Sequence, residues 1–283
     1  MNEKIKNLTI NIGEINTLEV MRDTDYGLFL ESKDEDEVLL PNAYVEEADM
    51  PIGALIDVFI YTDSEDRLVA TTLTPYGFKG DFVSLEIVDI AKFGAFLDIG
   101  LPKDLLVPKN KQRSTFNVGD KKVVKIIEDE KTHRLIGSEK FELEKLDYDF
   151  KQNDEVEIIP YIKTPLGFKV IVNNKYPGLI YHNEIFENIQ VGDKKRAYVK
   201  FVREDDKLDI SLQKIGAKKS EDNPQRVLDI LKENGGELSF TYKSDAEDIK
   251  DTFEMSKKAF KASLTKLLED KKIILNEDSI KAI

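Results

Sequence analysis

The 283-residue chain contains no cysteine and only two histidines, and no apolar run approaches the ~20 residues that a membrane-spanning helix needs. Without cysteine there are neither disulfides nor thiolate metal sites. His133 sits in the turn-like stretch EKTHR and His182 follows Tyr181; neither has companions at metal-ligand spacing. There is no Walker loop and no G-x-S-x-G elbow, and TPYG (74–77) and TPLG (164–167) read as turns rather than phosphate cradles. The acidic run DEDE (34–37) reads as a solvated loop rather than a cation site. The N-terminal MNEKIKNLTI lacks the apolar core of a secretion signal. These absences leave a soluble, cytoplasmic, non-enzymatic binding protein as the expectation, with no cofactor, no metal and no membrane partner.

Charge narrows the class further. Hydrophobic residues make up 41% of the chain and charged ones 34%, enough for roughly two to four compact units. The net charge of −13 weighs against nucleic acid, whose phosphates attract basic proteins. That acidity is local. Residues 1–79 carry 6 Lys/Arg against 17 Asp/Glu, whereas 80–152 carry 13 against 14, 153–213 carry 9 against 10, and 214–283 carry 14 against 14. Only the first quarter repels a phosphate strand as a whole, and it suits a protein partner better.

Self-comparison finds three ungapped frames of 61 residues, 13–73, 80–140 and 153–213. YGLFL (26–30) aligns with FGAFL (93–97) and LGFKV (166–170). PIGAL (51–55) aligns with NVGDK (117–121) and QVGDK (190–194). Gly27, Gly94 and Gly167 share one column, and Leu68, Leu135 and Leu208 another. Within a frame, short runs of Val, Ile and Phe alternate with Gly, Asn and Asp turns, giving five strands. Five strands in so short a span close into a small Greek-key barrel, and the shared glycine suits a bulge or tight bend. The expectation is a mainly β protein with a small α+β end: three OB-type barrels over 1–73, 80–140 and 153–214, then a helical domain over 223–283. FELEKLDYDFKQ (141–152) reads as a helical spacer, and IGAKKSEDN (215–223) as an exposed link.

In KFGAFLDIG (92–100), alternation points Ala95, Leu97 and Ile99 to one face and Phe96 and Asp98 to the other. The core must take the Ala/Leu/Ile set, because the opposite choice buries Asp98. Phe96 is left outside, joined by Phe93 if Gly94 forms the bulge. Two readings of these rings stand: a stacking platform for unpaired bases, or packing beneath a loop or a neighbouring barrel.

The last sixty residues read as a winged helix-turn-helix. Asn223-Pro224 opens a helix with Val227, Leu228 and Leu231 on one stripe, ending at Gly235-Gly236. Ser244 and Glu247 have capping-box spacing, and Ser256 caps a third helix with Phe260, Leu264, Leu267 and Leu268 inward. KIIL and SIKAI form a hairpin. Lys257, Lys258 and Lys261 lie near the third helix's N-terminus, away from its apolar stripe, where a recognition helix meets phosphates; the alternative is a solvated lysine face.

The barrel motifs resemble the S1 RNA-binding domain, most closely in KFGAFLDIG with VGD (118–120), and in PGLIYHNEIF (177–186), VGD (191–193) and KLDISLQ. The resemblance implies an RNA face built from two aromatics, a third-strand histidine and a basic residue on the last strand. The aromatic positions hold Tyr26 and Phe29, Phe93 and Phe96, then Leu166 and Lys169. The histidine position holds Pro41, Pro108 and Tyr181, and the basic position Arg67, Arg134 and Lys207. No frame keeps the full set. Lys194, Lys195, Arg196, Lys200 and Arg203 add charge near the third frame's face. Three such barrels and a winged helix, with SDAEDIKDTFEMSKKAFKASL (244–264), resemble the conserved virulence factor B (YitL-like) family over essentially the whole chain. Membership implies a bacterial cytoplasmic regulator of gene expression that binds single-stranded RNA. A DNA-binding transcription factor and a protein-interaction adaptor built on divergent barrels are the alternatives.

Overall fold

A computed structural model describes residues 10–45, 50–185, 187–215 and 219–283. Most of the N-terminal stretch MNEKIKNLTI, the Phe186 that ends PGLIYHNEIF, and residues 216–218 of the polar link lie outside them. The chain divides into two compact units, 1–143 and 144–283.

The first unit holds two barrels. Barrel 1 comprises β1 (Ile15–Thr24), β2 (Gly27–Glu31), β3 (Glu37–Pro41), β4 (Leu55–Thr62) and β5 (Leu68–Thr71), closed in the order β1-β2-β3-β5-β4. Barrel 2 repeats it with β6 (Phe82–Ala91), β7 (Gly94–Leu97), β8 (Leu105–Pro108), β9 (Lys121–Glu128) and β10 (Leu135–Ser138). Alternation puts Ala95, Leu97 and Ile99 in the core, as the pattern requires. Phe59, Tyr61 and Val69 of barrel 1 are buried in one apolar cluster with the barrel 2 core. The Lys103 ammonium donates to the Asp63 carbonyl at 2.7 Å, and the Arg134 guanidinium pairs with Asp66, so polar clamps flank this apolar contact.

The second unit opens with barrel 3: β11 (Glu155–Thr164), β12 (Gly167–Val172), β13 (Tyr176–Tyr181), β14 (Lys195–Val202) and β15 (Leu208–Ser211), closed in the same order as barrel 1. It is followed by α1 (Lys219–Glu233), β16 (Glu237–Leu238), α2 (Ala246–Phe253), α3 (Lys257–Glu269), β17 (Ile273–Leu275) and β18 (Ile280–Ala282). The three helices bury Val227, Leu231, Ile249, Phe253, Phe260, Leu264 and Leu267 together, and β16-β18-β17 forms the wing.

Four expectations change. The bulge is not at Gly94 but one strand earlier: the ladder slips between Ile87 and Asp89, between Val20 and Arg22, and between Pro160 and Ile162. The shared glycine answers a close approach instead. A Cβ on Gly94 would stand 2.6 Å from the Val107 carbonyl oxygen, and one on Gly167 would stand 1.8 Å from that of Ile180. Helix α1 starts at Lys219, so Pro224 lies inside it rather than at its first position. Asp245, not Ser244, caps α2 by accepting from the Glu247 amide, while the Ser244 hydroxyl accepts from Thr241. Finally, 141–152 holds no helix. Phe141 packs edge-on against Phe82 at 4.7 Å, Leu146 and Phe150 pack on the barrel 3 core, and the Glu144 amide bonds to Lys175. Side chains drawn to separate supports leave no single helical stripe.

Candidate nucleic-acid interface

One outward row crosses four neighbouring strands in each barrel, and its residues decide what that barrel can bind. In barrel 1 it runs Phe29, Leu39, Val69, Tyr61; in barrel 2, Phe96, Leu106, Ile136, Ile127; in barrel 3, Lys169, Leu179, Asp209, Phe201. The barrel 1 row is closed at its far end, since Val69 and Tyr61 are buried against barrel 2. Burial, with the neighbouring Tyr44, pushes the Tyr61 phenol up to about 12. In barrel 2, Ile136 is also buried.

At the open end of the barrel 2 row, Phe93 is 60% exposed and Phe96 half-buried, with their rings edge to face at 5.9 Å. Neither ring is in the core. Asp89 lies opposite Phe96 in the ladder. Arg134, at the basic position, is engaged by Asp66 of barrel 1. In barrel 1 the exposed Tyr26 and half-buried Phe29 hold the aromatic positions, and Arg67 is clamped by Asp63 and Glu65.

Barrel 3 has lost both aromatics, with exposed Leu166 and Lys169 in their places, yet its row ends on a ring that the sequence pattern hides. In YVKFV (198–202), strict alternation sends Phe201 inward with Ala197 and Val199. The β14–β15 ladder slips between Val199 and Phe201, so the phase flips and Phe201 emerges 60% exposed opposite Asp209. A bulge is the only signal that could have found it. Asp209 in turn interacts with the half-buried Tyr181, with Lys200 (paired with Glu184) and with Arg203 (3.1 Å from Asp205), and Lys207 pairs with Asp205 at 2.6 Å. Burial raises the Asp209 carboxyl, against the pull of Arg203 and Lys200. One oxygen of Asp209 and one of Glu184 are buried without a hydrogen-bond donor. Lys194, Lys195 and Arg196 pair with Glu157, Glu187 and Glu155 on another side of the barrel. His182 is a packing residue: its Nε2 meets the Thr164 carbonyl at 2.9 Å and its ring lies edge-on to Phe168.

On α3, Ser256 accepts from the Ala259 amide and Phe260, Leu264 and Leu267 are buried, which turns Lys258 and Lys261 to solvent. Neither has an ion-pair partner among the described residues. Lys257 is half-buried and donates to the Lys243 carbonyl at 3.3 Å. No group of three or more His, Cys, Asp or Glu able to hold a metal occurs among the described residues, and no helix there is long and apolar enough to cross a membrane.

Tandem five-stranded S1/OB-like barrels ending in a winged helix define the class. Family models place an S1 domain at 12–73, an S1 RNA binding domain at 76–140 and a CvfB-like winged helix domain at 225–281. The chain is 28% identical to the uncharacterized protein YitL of Bacillus subtilis over 92% of its length and 90% of that protein's. It is 26% identical to conserved virulence factor B of Staphylococcus saprophyticus (95% and 93%) and 27% identical to that of Staphylococcus aureus (95% and 93%). A crystal structure of a multidomain protein with nucleic acid binding domains from Streptococcus pneumoniae aligns at 26% identity and a TM-score of 0.45, covering 96% of this chain and 98% of that one. The resemblance to the virulence factor B and YitL proteins therefore holds along nearly the whole chain.

Proposed function

We propose that the protein binds single-stranded RNA without catalysing a reaction, using barrel 3 and the winged helix, and that it acts in the cytoplasm as a regulator of gene expression. The observation that carries this reading is the outward row of barrel 3. An exposed ring, Phe201, lies opposite Asp209, whose carboxyl interacts with Tyr181, Lys200 and Arg203, and Lys169 stands at the row's other end. Base stacking on an exposed aromatic contributes about 1–3 kcal/mol and tolerates any base. The solvent-facing Lys258 and Lys261 on α3 add phosphate contacts with little sequence choice. The exposed Arg203–Asp205 and Lys207–Asp205 pairs contribute little to folding, at most about 1 kcal/mol each, so a phosphate can compete for their cations. The S1 domain and S1 RNA binding domain models that match 12–73 and 76–140 support nucleic-acid binding by this type of barrel.

Titrating the full chain with labelled single-stranded RNA, single-stranded DNA and duplex DNA at one fixed salt concentration tests it. RNA should bind most tightly, and Phe201→Ala should lower RNA affinity roughly five- to 150-fold, the equivalent of one lost stack, with little change in melting temperature. Tightest binding to duplex DNA would instead favour a transcription factor working through the winged helix. Wild-type RNA affinity in the Phe201→Ala variant would remove barrel 3's ring from the interface.

A further inference from the structure

Barrel 1 contains a small recognition device whose counterpart in barrel 2 lacks one component. In the β1–β2 ladder Arg22 lies opposite Phe29, and its guanidinium sits 4.1 Å above that ring. Glu37 holds the guanidinium with both carboxylate oxygens, the longer bond being 3.0 Å. The set is a ring, a carboxylate clamp and an arginine between them.

Barrel 2 keeps the ring and the clamp. Phe96 takes the place of Phe29, and the exposed Phe93 adds a second ring edge-on to it. One step beyond the Leu97–Leu105 pair stand Asp98 and Asp104, as Glu31 and Glu37 pair one step beyond Leu30–Val38 in barrel 1. The arginine position is inverted: Asp89 occupies the ladder site opposite Phe96. Burial pushes the Asp104 carboxyl up, and the negative charges of Asp98 and Asp89 push it further. None of the three aspartates has an ion pair among the described residues. The ring face is therefore negative and short of one cation.

We propose that Phe93, Phe96, Asp89 and Asp104 form a seat for a guanidinium group, an arginine side chain of a protein partner. A guanidinium suits it better than an ammonium, because the planar group stacks on a ring while donating two parallel bonds to a carboxylate. Three carboxylates disfavour a phosphate strand at this spot. Lys92 and Lys109, at the Phe93 end of the hairpin, are what a nucleic acid would use instead, and RNA is the rival outcome. The inference is independent of the RNA reading, which concerns other faces of the chain.

The test titrates the full chain with a fluorescein-labelled peptide of alternating Arg and Gly, its Lys counterpart, and a labelled oligouridine at fixed salt. The arginine peptide should bind several-fold more tightly than the lysine one. Asp89→Arg, which writes barrel 1's own arginine into barrel 2, should weaken peptide binding at least tenfold, as should Phe96→Ala. RNA affinity should not change in Phe96→Ala. Asp34→Arg makes the same charge change in a barrel 1 loop and should cost much less. If Phe96→Ala misfolds by circular dichroism, Asp89→Arg and the exposed Phe93→Ala carry the test. Absence of peptide binding, an equal loss in Asp34→Arg, or a loss of RNA affinity on removing either ring would overturn the proposal.

Discussion

Lys258 and Lys261 offer a quantitative check on the RNA binding proposed for this acidic protein. Both are exposed near the N-terminal end of α3 and have no ion-pair partner among the described residues, whereas Lys257 is half-buried and donates to the Lys243 carbonyl. They project from one side of the helix at i and i+3, where the helix dipole also favours an anion. Each phosphate contact on a single strand contributes about 0.7 to the slope of log K against log salt. Removing two should flatten that slope by about 1.4, so across a fourfold rise in salt the variant should lose roughly sevenfold less affinity than the wild type. The assay is fluorescence anisotropy of the Lys258→Ala/Lys261→Ala chain with oligouridine and an unrelated RNA at four salt concentrations. Adding Lys257→Ala should change the slope by less than either of the others does. Folding should be unaffected, because Phe260, Leu264 and Leu267 hold the helix from its other side. A wild-type slope and affinity would make these lysines a solvated face and leave the winged helix as an interaction module.

Three further variants test the barrels themselves. The Asp104 carboxyl is raised, so the folded chain holds its proton more tightly than the unfolded chain does, and stability falls as pH climbs from the ordinary aspartate value through the raised one. Asp104→Asn should therefore raise the melting temperature at pH 7, and this gain should fade as the pH is lowered to about 3.9 or below; a gain independent of pH would contradict that origin. Gly167 has φ +151 and a Cβ there meets the Ile180 carbonyl oxygen at 1.8 Å, while Gly53 has φ +87 with nothing within 4 Å. Both changes to alanine carry backbone strain of about 1–3 kcal/mol, but Gly167→Ala should lower the melting temperature clearly more, and equal shifts would mean the close approach is unimportant.

Much of this architecture was legible because strands and turns leave local marks. The column of Gly27, Gly94 and Gly167 follows from one hairpin geometry repeated three times, and a period of two sorted Ala95, Leu97 and Ile99 from Phe96. What escaped depends on partners distant in sequence. Arg134 at the basic position gives no hint of Asp66, 68 residues away in the neighbouring barrel. The extra residue in β14 that exposes Phe201 is defined only against β15. The apolar spacing of Phe141, Leu146 and Phe150 mimics a helix because nothing local says that these side chains pack on separate supports.

The divergence of the three barrels follows from where each is covered. In barrel 1 the far half of the outward row, Val69 and Tyr61, is buried against barrel 2, so a polar or charged pair there would be desolvated at a cost of several kcal/mol. Only the near end, around Phe29, stays open, and Arg22 with Glu37 already fills it. In barrel 2, Ile136 is buried and the open end holds two rings among aspartates, which favours a cation over a phosphate. Barrel 3 carries Asp209 where the other two carry Val69 and Ile136, and Phe201 where they carry Tyr61 and Ile127. The exposed ring is tolerable there because its end of the row faces solvent, and the half-buried Asp209 is accompanied by the cations Arg203 and Lys200. Under the proposed RNA binding, the same exposure would let a base reach the ring, and the near end, with Lys169 in the aromatic position, would not need one. Covering one half of a repeated face thus moves the usable surface to opposite ends in different copies. A single set of binding positions should therefore not be expected to serve all three.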